Sequence, residues 1–179
     1  TVRLYHPVYK QNQDSIFIFD ISSAAFWQFF FILHLEEFYM YILETEQAFD
    51  SAHFLSGYEG KCHNLHGHRW RIVARIAADH LSEERQTRDM VIDFGDFKDA
   101  LKELTETLDH CLIVETGSLR PKTMEALREE EFRIVELPFR PTAEQLSRYF
   151  YMQLKERAFP VYNVSVYETP NNCATYQEA

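Results

Sequence analysis

The chain has 179 residues, of which 46% are apolar and 15% aromatic, enough material for the core of one ordinary globular domain. Its formal net charge of -10 argues against broad electrostatic binding to nucleic acid or to an anionic membrane, because both require a basic face. The three cysteines are widely spaced and form no Cys-x-x-Cys pair, so neither a disulfide framework nor an all-thiolate zinc site is expected. We therefore expect a cytoplasmic protein.

The first 39 residues are rich in aromatic side chains and show no clear secondary-structure pattern. Ile16 to Leu35 is almost wholly apolar, but it contains Asp20, Gln28 and His34. A charged side chain near the centre of a membrane span costs about 3 kcal/mol, which argues against a transmembrane helix. No signal-peptide pattern is present. We treat residues 1–39 as an N-terminal extension to a domain at residues 40–179.

Regular strand patterns begin after Met40. Tyr41 to Ala48 predicts a first strand. Apolar side chains then alternate with polar ones from Trp70 to Ile76, the period-two pattern of a strand with one buried face. We expect these two strands to pair.

Two amphipathic helices are predicted further along the chain. Apolar residues recur at spacings of three and four from Phe94 to Leu108, and Asp96 is placed to cap the first turn of this helix. Thr142 and Gln145 form a capping-box pattern that begins the second helix.

Three shorter elements complete the pattern. Residues 121–130 predict a short exposed helix, Phe132 to Leu137 a strand, and Val164 to Glu168 a last strand. The order strand, strand, helix, helix, strand indicates an α+β domain, with helices packed on one face of an antiparallel sheet.

The segment from Cys62 to His68 contains a candidate metal site. His66 and His68 are two residues apart, so on a strand their side chains share a face. With His53 as the best third ligand, they would form an open tetrahedral zinc site whose fourth position belongs to water or substrate. His-x-His also occurs without a metal, and Cys62 has two interpretations. A structural site would use it as a ligand, whereas a catalytic site would leave it as a base or nucleophile.

Two further acidic positions are candidates. Asp109 and His110 close the first helix, either as polar surface residues or as a proton relay in which the carboxylate supports the imidazole. Glu168 shares a strand face with Val164 and Val166, where a carboxylate needs a partner such as the adjacent N–H donors of a pterin or guanine. Alternatively, the strand ends at Tyr167 and Glu168 is solvated.

Six motifs in this order resemble the 6-pyruvoyl-tetrahydropterin synthase superfamily, and most closely its bacterial branch, the 6-carboxy-tetrahydropterin synthases of queuosine biosynthesis. The matching segments are Phe49–Phe54, Cys62–His68, Met90–Phe94, Leu108–His110, Pro141–Glu144 and Tyr167–Thr169. The three-residue gap between Cys62 and His66 is similar to the carboxy branch, since the pyruvoyl branch typically has a longer gap.

The resemblance implies a lyase and a set of site residues. The implied zinc ligands are His53, His66 and His68. The implied catalytic residues are Cys62 as proton acceptor, Asp109 and His110 as its relay, and Glu168. Glu168 and Thr142 are the implied substrate-binding residues. The implied reaction converts 7,8-dihydroneopterin triphosphate to 6-carboxy-5,6,7,8-tetrahydropterin, with loss of triphosphate and acetaldehyde.

The resemblance also implies the tunnelling fold, in which subunits form trimeric barrels that stack into homohexamers with active sites at subunit boundaries. Asp109 and His110 would then serve the Cys62 of a neighbouring subunit. Several subunits would contribute basic residues to hold the triphosphate. The candidates, which the sequence does not rank, are Lys61, Arg69, Lys122 and Arg140.

The chain departs from the family pattern at Gln145, where Asn is common, and in residues 1–39, which precede the usual start. Competing functions are a 6-pyruvoyl-tetrahydropterin synthase, a dihydroneopterin aldolase-type enzyme, or a noncatalytic zinc- or pterin-binding protein. Retention of Cys62, Asp109 and His110 argues against the last of these.

Overall fold

The computed structural model describes residues 40–178. The predicted extension at residues 1–39, with its apolar stretch, lies outside the described residues. Within residues 40–178, none of the helices has the length and apolar character needed to cross a bilayer.

The described residues form a single six-stranded sheet and three helices. The strands are β1 (Tyr41–His53), β2 (His66–Ala78), β3 (Leu112–Glu115), β4 (Ile134–Leu137), β5 (Val161–Thr169) and β6 (Asn172–Tyr176). The helices are α1 (Phe94–Glu106), α2 (Pro121–Glu129) and α3 (Ala143–Glu156), and a short 3₁₀ turn spans Lys61–His63. The strand order across the sheet is β4-β3-β1-β2-β5-β6.

The α+β class is confirmed, but the prediction of an antiparallel sheet is wrong for two strands. β1, β2, β5 and β6 pair antiparallel, whereas β3 pairs parallel to β1, and β4 parallel to β3. Between β1 and β3 the chain runs back along β2, and between β3 and β4 it runs back along α2, so each parallel pair has the return connection that parallel pairing requires. β3 and β6 were not predicted.

One face of the sheet packs against α1 and α3. Alternate residues of β2, from Trp70 to Ile76, are fully buried there beside Val164 and Val166 of β5. The helices contribute apolar residues predicted from their spacing, among them Leu101 and Phe150, but Phe94, the first residue of that pattern, is exposed. This apolar layer is the core of the domain, and it extends to the end of β1 where the candidate site lies.

The two predicted helix starts have different outcomes. Thr142 caps α3 as predicted, because its hydroxyl accepts a hydrogen bond from the backbone N–H of Gln145 at 3.4 Å. Asp96 was the wrong cap for α1. Asp93 occupies that position and accepts from the N–H of Gly95 at 2.6 Å, while Asp96 lies in the first turn, where an acidic side chain favours the helix dipole.

The opposite face of the long strands is charged. Arg69, Arg71 and Arg75 of β2 pair across the sheet with carboxylates of β1, at N–O distances of 2.6 to 3.0 Å. Side chains at alternate positions point to opposite faces, so the same two strands carry an apolar layer on one side and ion pairs on the other.

Candidate metal centre and catalytic residues

Three histidines meet where β1 ends and β2 begins. His53, the last residue of β1, lies directly opposite His66, the first residue of β2, and Ser51 lies opposite His68. Directly paired residues share a sheet face, so the three imidazoles lie together, with ring centroids 4.4 to 5.2 Å apart. This is the arrangement that the spacing predicted.

Gly67 separates His66 from His68 and lies against β1. A Cβ atom at this position would come within 3.1 Å of the carbonyl oxygen of Ser51. The glycine therefore lets the two strands approach closely at the point where they carry the three histidines.

Two of the imidazoles are oriented by backbone carbonyls. Nδ1 of His53 donates to the carbonyl of Pro141 at 2.8 Å, and Nδ1 of His66 donates to the carbonyl of Asn64 at 2.7 Å. Since a carbonyl can only accept, both rings carry their proton on Nδ1 and leave Nε2 as a lone-pair donor. Such outer contacts are typical of histidines that bind metals.

Burial favours the neutral form of His53 and His68. His53 is fully buried, and this desolvation lowers its pKa from 6.5 to about 4, against the opposing effect of the Pro141 carbonyl. Burial also lowers the pKa of His68, although the nearby Glu168 carboxylate opposes the shift. A neutral imidazole is the form that coordinates a metal, so His53 and His68 need not lose a proton to bind one at neutral pH.

The donor set fits zinc. The ligand atoms of the three histidines all lie within 4.8 Å of one another. Nε2 of His53 and Nε2 of His68 are buried and have no hydrogen-bond partner among residues 40–178, which leaves both lone pairs free for an ion. Three imidazole nitrogens are a common ligand set of catalytic zinc and leave a fourth position for water or substrate.

Glu168 lies beside the histidines. Its Oε1 is 3.6 Å from Nε2 of His53 and 3.7 Å from Nε2 of His68, and its side chain is 27% exposed. β5 continues to Thr169, so the interpretation that the strand ends at Tyr167 is wrong, and the inward orientation predicted for Glu168 is confirmed. A partly accessible carboxylate at the edge of the cluster is available to a ligand.

Cys62 lies in the 3₁₀ turn of the loop between β1 and β2. Its side chain is half-buried and its thiol is free. The carbonyl of Cys62 accepts a hydrogen bond from the N–H of Leu55 at 2.8 Å, which ties the turn to the chain two residues after His53. Cys62 and the first histidine are thus the two ends of one short loop.

Asp109 and His110 form a hydrogen-bonded pair attached to β1. Oδ1 of Asp109 accepts from the N–H of Asp50 at 2.9 Å, and Oδ2 accepts from Nδ1 of His110 at 2.8 Å. The N–H of His110 in turn donates to the carbonyl of Asp50 at 2.7 Å. The pKa of Asp109 is lowered, chiefly by the hydrogen bond from the Asp50 N–H and to a smaller extent by His110. The carboxylate is therefore ionised at neutral pH.

The side chain of His110 is 79% exposed, and its backbone has φ of 50°, in the left-handed region that non-glycine residues seldom adopt. Among residues 40–178, no hydrogen bond or ion pair joins Asp109 or His110 to Cys62 or to the three histidines. The structure brings Glu168 and the histidines together, whereas the Asp109–His110 pair makes no hydrogen bond to that group, although His110 and His68 line the same surface pocket.

A concave pocket of about 770 Å³ opens beside His110. Its lining includes Leu65 and Phe132, which are 66% and 62% exposed, together with Arg69 and Arg133. Large apolar side chains on an open surface typically mark a site of contact with another molecule.

Several groups that support the site were not predicted from the sequence. The carbonyls of Pro141 and Asn64 are backbone atoms, which carry no residue-specific signal. Arg133 donates from its guanidinium to the carbonyls of Glu106, Thr107 and Asp109, and so holds the turn that presents His110. Thr142, predicted to bind substrate, uses its hydroxyl to cap α3, directly after the carbonyl that orients His53.

The chain is similar to known tetrahydropterin synthases. The family model described as 6-pyruvoyl tetrahydropterin synthase matches residues 42–179. A 6-carboxy-5,6,7,8-tetrahydropterin synthase of Haemophilus influenzae is 33% identical over 142 residues, covering 78% of this chain and 100% of that protein. A protein with the same name from Aquifex aeolicus is 35% identical over 128 residues, covering 66% of this chain and 76% of the relative.

Solved structures share the fold. The 6-pyruvoyl tetrahydropterin synthase of Plasmodium vivax has a TM-score of 0.58 at 21% identity, covering 78% of this chain and 98% of the other. The enzyme of Caenorhabditis elegans has a TM-score of 0.55 at 22% identity, covering 79% of this chain and 97% of the other. From the family match and the identity to curated relatives, we conclude that the chain belongs to the 6-pyruvoyl tetrahydropterin synthase family.

Proposed function

We propose that the protein converts 7,8-dihydroneopterin triphosphate to 6-carboxy-5,6,7,8-tetrahydropterin in a zinc-dependent reaction, with release of triphosphate and acetaldehyde. The observation that carries this proposal is the cluster of three imidazoles with the Glu168 carboxylate beside it. The curated relatives named 6-carboxy-5,6,7,8-tetrahydropterin synthase support the choice of product. We place the reaction in queuosine biosynthesis in the cytoplasm.

His53, His66 and His68 would hold the zinc ion, with Nε2 of His53 and His66 as donors. When bound, zinc supplies positive charge beside the side-chain hydroxyls of the substrate and stabilises the negative oxygen that develops as the neighbouring carbon loses a proton. The buried ring of Trp70, edge-on to His53 and His68 at centroid distances of 4.9 and 5.4 Å, restricts their movement. The ligands are therefore oriented before substrate arrives.

Glu168 would anchor the pterin. A carboxylate has two oxygens that can accept from the adjacent N–H groups of the aminopyrimidine edge, and this paired geometry fixes the orientation of the ring. Because Oε1 lies 3.6 to 3.7 Å from two of the histidines, a pterin held there has its side chain next to the metal position.

Cys62 would accept the proton, with Asp109 and His110 as its relay. The ionised Asp109 fixes the Nδ1 proton of His110 and leaves Nε2 available to exchange a proton. Since the pair has no hydrogen bond to Cys62 within the described part of the chain, we propose that it serves the Cys62 of a neighbouring subunit. The exposed Leu65 and Phe132 beside His110 support a subunit contact there, in a homohexamer of two trimers.

Product analysis by mass tests the proposal. Purified protein loaded with zinc is incubated with 7,8-dihydroneopterin triphosphate, and we expect 6-carboxy-5,6,7,8-tetrahydropterin, triphosphate and acetaldehyde. A pyruvoyl product, or simple side-chain cleavage to a hydroxymethyl pterin, would replace the proposal with the corresponding family activity. If zinc-loaded protein forms no product, the alternative of a noncatalytic zinc- or pterin-binding protein would replace the proposal.

The variant Cys62→Ala tests the proton acceptor separately. It should retain the wild-type zinc content, because Cys62 is not a ligand, and should lose turnover by about 100-fold or more, the typical contribution of a positioned acid or base. Wild-type turnover in this variant would exclude Cys62 as the base.

A further inference from the structure

Four basic residues are sequence candidates for the triphosphate, and their surroundings differ. Arg69 is already paired with Asp50 at 2.6 Å, on the charged face of the sheet. Lys61 and Lys122 are exposed. Arg140 is half-buried and lies immediately before Pro141, the residue whose carbonyl orients His53.

Arg140 is also distinct among the arginines. Within residues 40–178 three arginines are half-buried, Arg71, Arg75 and Arg140. Arg71 pairs with Glu46 at 3.0 Å, and Arg75 pairs with Glu44 at 2.7 Å. The guanidinium of Arg140 makes no ion pair or side-chain hydrogen bond to any described residue, although partial burial of an unpaired charge is costly. This arrangement leaves its five N–H donors available to an anion.

The guanidinium lies against the loop that joins two site residues. A Cβ atom added to Gly57 would be 3.7 Å from an Nη atom of Arg140, and Gly57 lies in the loop between His53 and Cys62. The backbone of Arg140 is one residue from the contact with His53, and its side chain reaches the loop that ends in Cys62. An anion bound by this guanidinium would therefore lie against the loop that connects His53 to Cys62.

We propose that Arg140 binds the phosphate groups of the substrate and makes the site selective for a phosphorylated pterin side chain. A guanidinium matches phosphate geometry with two parallel hydrogen bonds, and it stays charged when partly buried. A local cation is needed in a chain with a net charge of -10, because the overall field repels a polyanion. The inference rests on the proposed pterin reaction, because the triphosphate that Arg140 would bind is the leaving group of that reaction.

Calorimetric titration of the zinc-loaded protein with inorganic triphosphate tests the assignment. Arg140→Gln should weaken triphosphate binding by about 10- to 100-fold, because a charge-assisted hydrogen bond is lost. Arg140→Lys should be intermediate, since it keeps the charge but loses the paired geometry. The control Arg85→Gln removes an exposed arginine from the loop after β2 and should leave the affinity unchanged.

Zinc content and thermal unfolding establish that each variant is folded. If Arg140→Gln does not fold, the triphosphate affinity of Arg140→Lys provides the test. Wild-type affinity for triphosphate in either folded variant overturns the proposal. Failure of wild-type protein to bind inorganic triphosphate overturns it as well.

Neopterin, which has the pterin ring and hydroxyls but no phosphate, separates this inference from the proposed function. We expect wild type and Arg140→Gln to bind neopterin with the same affinity. If no form binds neopterin while triphosphate binding still depends on Arg140, the pterin reaction is wrong and the anion site stands. If neopterin binds equally to all forms and triphosphate affinity does not depend on Arg140, the anion site is wrong and the pterin reaction stands.

Discussion

The histidine cluster and the Asp109–His110 pair are built in opposite ways. The cluster lies at the ends of the two longest strands, with His53 fully buried and two of its rings fixed by backbone carbonyls. The pair follows α1 on a turn, with His110 79% exposed and its backbone in the left-handed region. The histidine cluster is buried within the chain, whereas the Asp109–His110 pair exposes its imidazole to solvent.

This difference indicates which parts of the proposed site a single chain can complete. The metal centre has its donors, its orienting contacts and the Glu168 carboxylate within residues 40–178. The relay has its supporting contacts, from Asp50 and Arg133, but has no hydrogen bond to the group it would serve within the same residues. Variants of the two regions should therefore differ in zinc content, in stability and in turnover.

The largest effect is expected at the buried region. His53→Ala should reduce zinc content to background, because it removes one of three ligands. It also removes the donor to the Pro141 carbonyl, so the metal-free variant should lose about 1–3 kcal/mol of unfolding free energy. Metal analysis and urea denaturation measure the two effects. His63→Ala is the matched control, since His63 is exposed and outside the cluster; loss of zinc in that control would contradict the ligand assignment.

A subunit-mixing experiment tests the exposed region. Cys62→Ala and His110→Ala should each be inactive alone. If the relay serves a neighbouring subunit, reassembly of a one-to-one mixture should restore about a quarter of the sites, which then combine an intact Cys62 with an intact His110. Turnover of the mixture measures this recovery, and mixing each variant with itself is the control. No recovery from mixed hexamers would place both residues in one subunit's site.

Acid should destabilise the buried region first. In the metal-free folded protein the pKa of His53 is about 4, against 6.5 for an unburied histidine, so the unfolded state binds more protons between these values. The unfolding free energy should be full above pH 6.5 and fall as the pH drops towards 4, by roughly 3 kcal/mol in all. Urea denaturation of metal-free protein across this range measures it. The His53→Asn variant should show a smaller slope, because only His68, whose pKa is also lowered by burial, then remains, and an unchanged slope would contradict the assignment to His53.

The smallest effect is expected from Arg133, which holds the turn before His110. Arg133→Ala removes three hydrogen bonds to backbone carbonyls and should lower turnover by about 10-fold through a less ordered relay, with zinc content unchanged. Arg133→Lys should recover part of the activity. The pH profile of turnover should also shift, since the relay titrates differently when its turn is loose. A variant that loses zinc as well would contradict the separation of the two regions.

The sequence predicted the long elements and the residue types of the site, but not their supports. β1, β2 and the two main helices carry long periodic patterns, and His66 and His68 share a face because the period of a strand is two. β3 has four residues, too few for a pattern, and its parallel pairing depends on the path of the chain after α1. Asp93 and Asp96 are both suitable caps, and only the position of the first helical turn decides between them.

The close approach at Gly67 has a consequence for sequence variation at the site. An alanine there would press on the Ser51 carbonyl at 3.1 Å and move β2 away from β1 by a few tenths of an ångström, between two of the three proposed metal ligands. A library randomised at this position and selected only for solubility should admit alanine and serine. Selection of the same library for zinc retention at low metal concentration should return glycine, because small displacements of coordinating atoms weaken a metal site long before they unfold a sheet.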